Sequence, residues 1–333
     1  AIFSSKYRKA YNVLTAVRKQ RKQNATRNIL RGFDKFKSDN IELSRFYPTL
    51  DDLINDPPKA DVYIVGSDQV WNPSLNSDSA LAWYLRFGPK DILRVSYAAS
   101  FGRIIHETEY GNLCHYLRDF KAVSVRERTA LENCKKAGVN DVKVVVDPTL
   151  LVHKDVYIPF VKKEFNAKPY LFLYYINVID KTDLEWKQIE TFVQEKKLSI
   201  LPVSSSGYYP AFDLVPGQDN MLLTIPEWIN AIYHSEFVVT TSFHGVVFAI
   251  IMHRPFVAIP LKGEYSSGNI RITSLLHSVG LEDHLLTDGK NVKEILSADV
   301  NWENVDDLLA EQRKMSEKFL SAALTSYPCK NRI

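Results

Sequence analysis

The segment from Val238 to Pro260 constrains the fold more than any other part of the chain. It reads VVTTSFHG, continues as an apolar run to Ile251, and ends in PFVAIP. This order predicts a buried strand, a sharp turn carrying His244, a short apolar helix and a second buried strand. We therefore expect the His244 imidazole at the carboxyl edge of a parallel sheet, where open α/β proteins bind ligands.

A similar feature occurs much earlier, between Asp61 and Pro73. The sequence DVYIVGSDQVWNP again runs from an apolar strand into a polar turn. Two such edges in the two halves of the chain predict a functional cleft between two domains.

The length of 333 residues also favours two domains, because one hydrophobic core usually organises fewer residues. Buried strands alternate with helices, which is typical of parallel sheets covered on both faces. Residues 152–169 lack clear periodicity and hold two prolines and four lysines, so we place the crossing between domains there. The prediction is a Rossmann-like N-terminal domain over 1–151 and a Rossmann-like C-terminal domain over 152–333, ending in an amphipathic helix.

Composition excludes several classes. No run approaches the ~20 apolar residues of a membrane-spanning helix, and no signal-peptide pattern opens the sequence, so we expect a cytoplasmic protein. The three cysteines are irregularly spaced, which predicts neither a metal site nor a redox dithiol.

Positive charge concentrates between Lys6 and Lys37, where eleven lysines and arginines are opposed only by Asp34. Two interpretations stay open. This segment forms a basic surface for anionic lipid at the inner membrane face or for a phosphorylated acceptor, or it is a solvated helix face. We expect no nucleic-acid partner, because no RNA-binding or helix-turn-helix pattern surrounds these charges.

Five short motifs occur in a fixed order along the chain. The motifs are GSDQVWNP from Gly66, SYAASFG from Ser96, SVRE from Ser124, VDPT from Val146 and SFHG from Ser242. Together, over about residues 63–281, they resemble the polysaccharide pyruvyl transferase family.

The resemblance implies a GT-B-like α/β fold of two Rossmann-like domains, with the active site in the interdomain cleft. It also implies that phosphoenolpyruvate donates a pyruvyl group to two sugar hydroxyls, forming a cyclic ketal on a bacterial surface glycan. The acceptor would be a saccharide or a lipid-linked saccharide precursor. Neither a metal nor another cofactor is expected.

Such a reaction needs a cationic clamp for the donor, a proton for its methylene carbon, and a base for the sugar hydroxyl. His244 is the candidate for proton transfer, because imidazole titrates near neutral pH. The alternative is a histidine bonded to backbone at a helix start. Gly245 would let the ligand approach the backbone and the helix N-terminus.

The anion clamp is expected to include Arg126, which follows an apolar strand; the alternative is an ion pair with Glu127 or Asp147. Many members of the resembled family carry arginine where this sequence has Ser242, in the expected donor site. Lys262 or Arg271, in a polar loop after a buried strand, would then supply the positive charge.

On the acceptor side, Asp68 would accept a hydroxyl proton or orient the sugar, with Ser67 beside it. The alternative for Asp68 is a cap of the following turn. Trp71 would offer a face for sugar stacking, or would simply pack in the core.

Two other functions stay open from the sequence. One is a GT-B glycosyltransferase using a nucleotide sugar, since the same fold and histidine would serve a diphosphate leaving group. The other is a catalytically inactive member that binds a glycan.

Overall fold

The computed structural model describes residues 30–73, 80–162, 168–178, 180–205 and 221–325. Most of the basic segment between Lys6 and Lys37 lies outside these residues. Of its described lysines, Lys35 pairs with Asp39 and Lys37 with Asp34 on an exposed helix.

Helices and strands alternate along most of the described chain. The strands are β1 Val62–Val65, β2 Leu93–Ala99, β3 Ala122–Val125, β4 Val142–Val144, β5 Tyr170–Tyr175, β6 Ser199–Ser204, β7 Phe237–Thr240 and β8 Phe256–Ala258. The helices are α1 Phe33–Asn40, α2 Leu50–Asn55, α3 Ala80–Trp83, α4 Tyr110–Leu117, α5 Arg128–Lys136, α6 Pro148–Leu151, α7 Trp186–Lys196, α8 Ile225–His234, α9 Phe243–Ile251, α10 Asn269–Ser278, α11 Val292–Ser297 and α12 Trp302–Thr325. Short 3₁₀ helices lie at Glu107–Glu109, Lys154–Val156, Ile158–Phe160, Lys181–Leu184, Gly263–Gly268 and Glu282–His284.

The chain divides into two compact units. The first unit takes its residues from the ranges Ala1–Leu43, Lys154–Lys262 and Asp283–Asp299. The second unit takes its residues from Ser44–His153, Gly263–Glu282 and Val300–Ile333.

This division differs from the predicted domains 1–151 and 152–333, because the chain returns to the second unit twice. The terminal helix α12 shows why. Its apolar residues Phe319 and Ala323 pack in a cluster with Leu93 and Val95 of the second unit's sheet. An amphipathic helix buries its apolar face against one sheet and becomes part of that sheet's unit. The position of α12 in the sequence does not indicate which of the two sheets it covers.

In the first unit, four parallel strands form a sheet in the order β6-β5-β7-β8. Strand β5 therefore has its later neighbours on opposite sides, which creates a topological switch point between β5 and β7. One face packs against α7 and α11 through an apolar cluster that includes Ile189 and Ile295. Helix α9 is buried at every position except His244.

In the second unit, four parallel strands are ordered β1-β2-β3-β4. All seven residues of β2 are buried, as expected for a central parallel strand. Helices α4 and α5 cover one face through residues such as Leu117 and Cys134, and α12 covers the other.

The predicted α/β class with two parallel sheets is confirmed, and each sheet is built from buried apolar strands joined by helices. Among the described residues, none of the helices has both the length and the apolar character that crossing a bilayer requires.

Candidate functional site

A cavity of about 660 Å³ lies in the first unit where strands β5, β6 and β7 end. Ligands of open α/β sheets bind at this position, outside the carboxyl ends of strands at a switch point. The N-termini of α8 and α9 also border the cavity, through Thr224 and His244. Its lining includes Arg31, Tyr174, Ser204, Thr224, Trp228 and His244.

The turn that carries His244 is fixed by packing between α9 and β7. Ser242 is the N-cap of α9, and its backbone N–H donates to Thr240 Oγ1 at 3.0 Å. A Cβ atom placed on Gly245 would lie 2.1 Å from the same Thr240 Oγ1. The Thr240 side chain thus occupies the space beside the Gly245 Cα, so the glycine allows α9 to pack closely on β7. The space that the prediction gave to a ligand at Gly245 is therefore filled by Thr240.

His244 is the second residue of α9 and is partly exposed into the cavity. Its ring meets the ring of Phe243 edge to face, with centroids 5.3 Å apart. The imidazole therefore borders the cavity at the sheet edge, and its role in ligand binding or proton transfer stays a prediction.

Ser242, 4% exposed, lies outside the lining of the cavity. No side-chain capping hydrogen bond is made at this position. Burial raises the pKa of the Tyr174 hydroxyl, and the Arg31 cation and hydrogen bonds with Ser205 and Ser242 oppose that rise.

Arg31 is a cavity residue that the sequence analysis did not single out. It is 5% exposed, and its guanidinium donates to the carbonyl oxygens of Ser205, at 2.9 Å, and Ser204. In the sequence it is one of eleven basic residues in a segment. Only its place directly before Gly32, which has a left-handed φ of 63°, distinguishes it locally.

Lys262, predicted as a possible donor contact, lies outside the lining of this cavity. Its ammonium is paired with Glu185 Oε1 at 3.2 Å and lies 3.4 Å from the Thr182 carbonyl oxygen. Lys262 therefore contacts the 3₁₀ helix Lys181–Leu184 and Glu185, which follows it.

A second group of charged residues lies at the carboxyl edge of the second unit's sheet. Asp68 occupies a turn after β1 with a left-handed φ of 62°, and the peptide bond between Gly66 and Ser67 is cis. Its carbonyl oxygen accepts from the Ser100 N–H at 2.9 Å. The Asp68 side chain is 51% exposed, so its carboxylate reaches solvent.

Arg126 forms an ion pair with the Asp68 carboxylate. The guanidinium is buried and contacts Asp147 Oδ2 at 2.8 Å and Asp68 Oδ1 at 2.9 Å, and Glu127 Oε2 lies 3.8 Å from its Nε. Burial alone lowers the pKa of Arg126, but the carboxylates of Asp147, Asp68 and Glu127 outweigh burial and raise it. The ion pair, the alternative to a donor clamp, is what the structure shows.

Arg271 of α10 approaches the same carboxylate, with Nη1 3.4 Å from Asp68 Oδ1. Burial lowers the pKa of Arg271, and the nearby Arg126 cation lowers it further. Burial also raises the pKa of Glu127, against the opposing effect of Arg126. Ser67 Oγ donates to Asp147 Oδ2 at 3.2 Å and completes the group. The two guanidiniums therefore lie next to three carboxyl groups, so this cluster has no excess of positive charge. Its most exposed charged group is the Asp68 carboxylate.

Trp71 is 1% exposed and stacks on Tyr84 with ring centroids 5.4 Å apart. Its indole N–H donates to the Trp83 carbonyl oxygen at 3.0 Å. The structure thus places Trp71 in the core of the second unit, where it has no open face for stacking on a sugar.

The structure brings the predicted residues together in two groups, one in each unit. The first unit holds His244, Ser242 and Gly245, and the second holds Ser67, Asp68, Arg126 and Arg271. The predicted convergence of His244 and Arg126 in one cleft stays a prediction. Over the described ranges, no group of three or more His, Cys, Asp or Glu side chains could hold a metal ion.

Comparison with known proteins identifies a family. The family model described as polysaccharide pyruvyl transferase matches residues 3–263, which is most of the chain. A search of the curated proteins gives no match.

Two solved structures have a distant similarity to this chain. The UDP-GlcNAc 2-epimerase of Methanocaldococcus jannaschii, solved with UDP-GlcNAc and UDP, is 15% identical with a TM-score of 0.48, covering 83% of this chain and 78% of its own. The S. aureus MnaA structure with UDP is 11% identical with a TM-score of 0.44, covering 90% of this chain and 75% of its own. Similarities this distant support no inference about this chain.

Trp71→Ala should lower the free energy of unfolding by about 3–5 kcal/mol, because it empties a packed aromatic site. Chemical denaturation measures the loss. Trp83→Ala is the matched control, since Trp83 is 40% exposed and exposed substitutions change stability by only about 0.5 kcal/mol. Unchanged stability of Trp71→Ala would contradict a core role.

Arg126→Met should cost about 3–5 kcal/mol of stability, because it leaves the buried Asp147 carboxylate without its cation. Adding Asp147→Asn removes that charge and keeps a helix-capping side chain, so the double variant should lose less than the sum of the single losses. Denaturation of all three variants measures this coupling. The exposed pair of Lys293 and Glu195 is the control: Lys293→Met should cost no more than about 1 kcal/mol. Strict additivity at Arg126 and Asp147 would show that the pair is uncoupled.

Proposed function

Because the chain belongs to the polysaccharide pyruvyl transferase family, we propose that it transfers a pyruvyl group from phosphoenolpyruvate to a sugar. The acceptor is a saccharide, or a lipid-linked saccharide, of a surface glycan or its precursor. Two of its hydroxyls become the oxygens of a cyclic ketal.

The observation that carries this proposal is the cavity of the first unit. It combines the His244 imidazole, the N-termini of two helices and the Arg31 guanidinium at one sheet edge. Helix N-termini and guanidinium groups favour anions. Phosphoenolpyruvate carries two anionic groups and must receive one proton. In the proposal, the Arg31 guanidinium and the helix N-termini attract the anionic groups, and the His244 imidazole supplies the proton.

In the proposed reaction, His244 as imidazolium gives its proton to the methylene carbon of phosphoenolpyruvate, which becomes a methyl group. The neighbouring carbon develops positive charge, and one sugar hydroxyl attacks it. The second hydroxyl then displaces phosphate at the same carbon. Two C–O bonds form and one C–O bond to phosphate breaks; one hydroxyl proton replaces the proton that His244 gave, and the other leaves with phosphate.

Asp68 is the proposed acceptor-side base. Its carboxylate is half exposed, and the contacts of one oxygen with Arg126 and Arg271 orient the group. A carboxylate fixed in this way can accept a hydroxyl proton or hold a sugar hydroxyl in position. Ser67, bonded to Asp147, supports the turn that carries it.

Phosphoenolpyruvate should bind the isolated protein and raise its melting temperature. A ligand at about 100 times its Kd adds about 2.7 kcal/mol of stability, which a thermal-shift measurement detects. A panel of nucleotide sugars is the comparison. Stabilisation by a nucleotide sugar and not by phosphoenolpyruvate would favour a glycosyltransferase, and stabilisation by neither would favour a non-catalytic glycan-binding protein.

His244→Asn should slow phosphate release from phosphoenolpyruvate by about 10²–10⁴-fold in the presence of an acceptor saccharide, because proton transfer contributes about that factor. Phosphoenolpyruvate affinity should change much less. His253→Asn, just beyond the opposite end of α9, is the matched control and should keep full turnover. Equal turnover of the His244 variant and the wild type would remove His244 from the chemistry.

A further inference from the structure

We propose that three polar residues of helix α12 position the Asp68 carboxylate for the acceptor hydroxyl. They are Gln312, Arg313 and Ser316, and they are positioning residues because each reaches Asp68 only through other parts of the second unit. The inference rests on the proposed role of Asp68 in the reaction. Helix α12 lies beyond residues 3–263, which the family model matches.

The first observation is that these polar residues share the buried face of α12. Ser316 is 1% exposed and lies midway between Leu309 and Ala323, which are buried as well. Gln312 and Arg313 precede Ser316 by about one helical turn, so the three side chains lie on one side of the helix. Polar groups at buried positions require hydrogen-bonding partners. The partners of these three residues therefore explain why they occur on this face.

Ser316 binds the backbone directly before Asp147. Strand β4 ends at Val144, and the N–H of Val146 donates to Ser316 Oγ at 3.0 Å. Val146 is buried, and a buried N–H without an acceptor would be costly. The serine hydroxyl thus fixes the chain at the point where it leaves β4 for Asp147.

Arg313 binds the other side of the same turn. Its Nε donates to the carbonyl oxygen of Leu150 at 2.7 Å. Leu150 belongs to α6, and Asp147 is the N-cap of that helix. Helix α12 therefore holds the chain both before and after Asp147. The Asp147 carboxylate contacts Arg126 at 2.8 Å, and Arg126 contacts Asp68 at 2.9 Å, which completes one route from α12 to the carboxylate.

Gln312 provides a second route to the same carboxylate. Its Nε2 donates to the carbonyl oxygen of Ser278, the last residue of α10, at 2.8 Å. Helix α10 also carries Arg271, whose Nη1 lies 3.4 Å from Asp68 Oδ1. Because the backbone of a helix is held together by its own hydrogen bonds, fixing its end also restrains Arg271. Both routes end at Asp68 Oδ1, since Arg126 contacts that oxygen too.

Steady-state kinetics of Ser316→Ala tests the inference, because the substitution removes only the hydroxyl. Phosphate release from phosphoenolpyruvate with an acceptor saccharide should slow about 10–100-fold, since a small displacement of a positioned group has an effect of this size. The Kd of phosphoenolpyruvate should stay within about twofold of the wild type, because the proposed donor site lies in the first unit. Ser316→Thr keeps the hydroxyl and should restore part of the lost rate.

Ser235→Ala is the matched control. Ser235 is also fully buried, and its hydroxyl donates to the Ile232 carbonyl oxygen at 2.9 Å, but it lies in the first unit. Removing this hydroxyl should lower the midpoint of chemical denaturation to a similar extent as Ser316→Ala does. Turnover should nevertheless stay at the level of the wild type.

A double-mutant cycle separates positioning from a general loss of structure. In an Asp68→Asn background, Ser316→Ala should slow turnover by less than about a further twofold, because its effect passes through the Asp68 carboxylate. Equal slowing in both backgrounds would show that Ser316 supports only the fold, and the inference would be wrong. Wild-type turnover in Ser316→Ala would also overturn it.

Hydrogen–deuterium exchange without substrate gives a readout that does not depend on the reaction. The N–H groups of Val70 and Ser100 both donate to the Asp68 carbonyl oxygen at 2.9 Å. In Ser316→Ala they should exchange at least about threefold faster than in the wild type, because the turn is held less firmly. In Ser235→Ala their exchange should not change.

Unchanged exchange at this turn in Ser316→Ala would overturn the positioning of Asp68 by α12. A wild type that does not turn over phosphoenolpyruvate would instead overturn the proposed function. Faster exchange at the turn in Ser316→Ala would in that case still support the positioning, so the two failures are distinguishable.

Discussion

The close approach of α9 to β7 at Gly245 is the contact on which the rest of the first unit's site depends. A side chain there would meet Thr240 Oγ1, and the same oxygen accepts the Ser242 N–H at the start of the helix. The missing Cβ and the threonine hydroxyl together fix where α9 begins. Because His244 is the second residue of α9, these contacts also fix where its imidazole lies.

The two units offer different electrostatics at their sheet edges. The first unit places an imidazole, the Arg31 guanidinium and two helix N-termini around a cavity, and helix N-termini favour anions. The second unit surrounds two guanidiniums with three carboxyl groups, so their charge is used to hold Asp68 at the surface. This division of charge is the physical reason why we propose that the donor binds in the first unit and that Asp68 of the second unit acts on the acceptor hydroxyl.

The sequence predicted the parallel α/β sheets because buried strands leave continuous apolar runs. It also predicted that His244 lies in a turn after a buried strand, because the residue follows such a run directly. It did not identify Arg31, since a residue distant in sequence reaches the cavity only through tertiary packing against β6. The sequence could not distinguish a donor clamp from an ion pair for Arg126. Its partner Asp147 lies just after the end of the neighbouring strand β4, and only the folded sheet brings the two side chains together. The domain boundaries differ for the same reason: α12 covers a sheet formed much earlier in the chain.

Hydrogen–deuterium exchange with and without saturating phosphoenolpyruvate tests most directly whether the donor binds in the cavity of the first unit. Backbone amides at the start of α9, around Ser242 to Val246, and at the end of β6 should exchange more slowly when the donor is bound. Protection confined to the Asp68 turn, with no change at α9, would contradict this account.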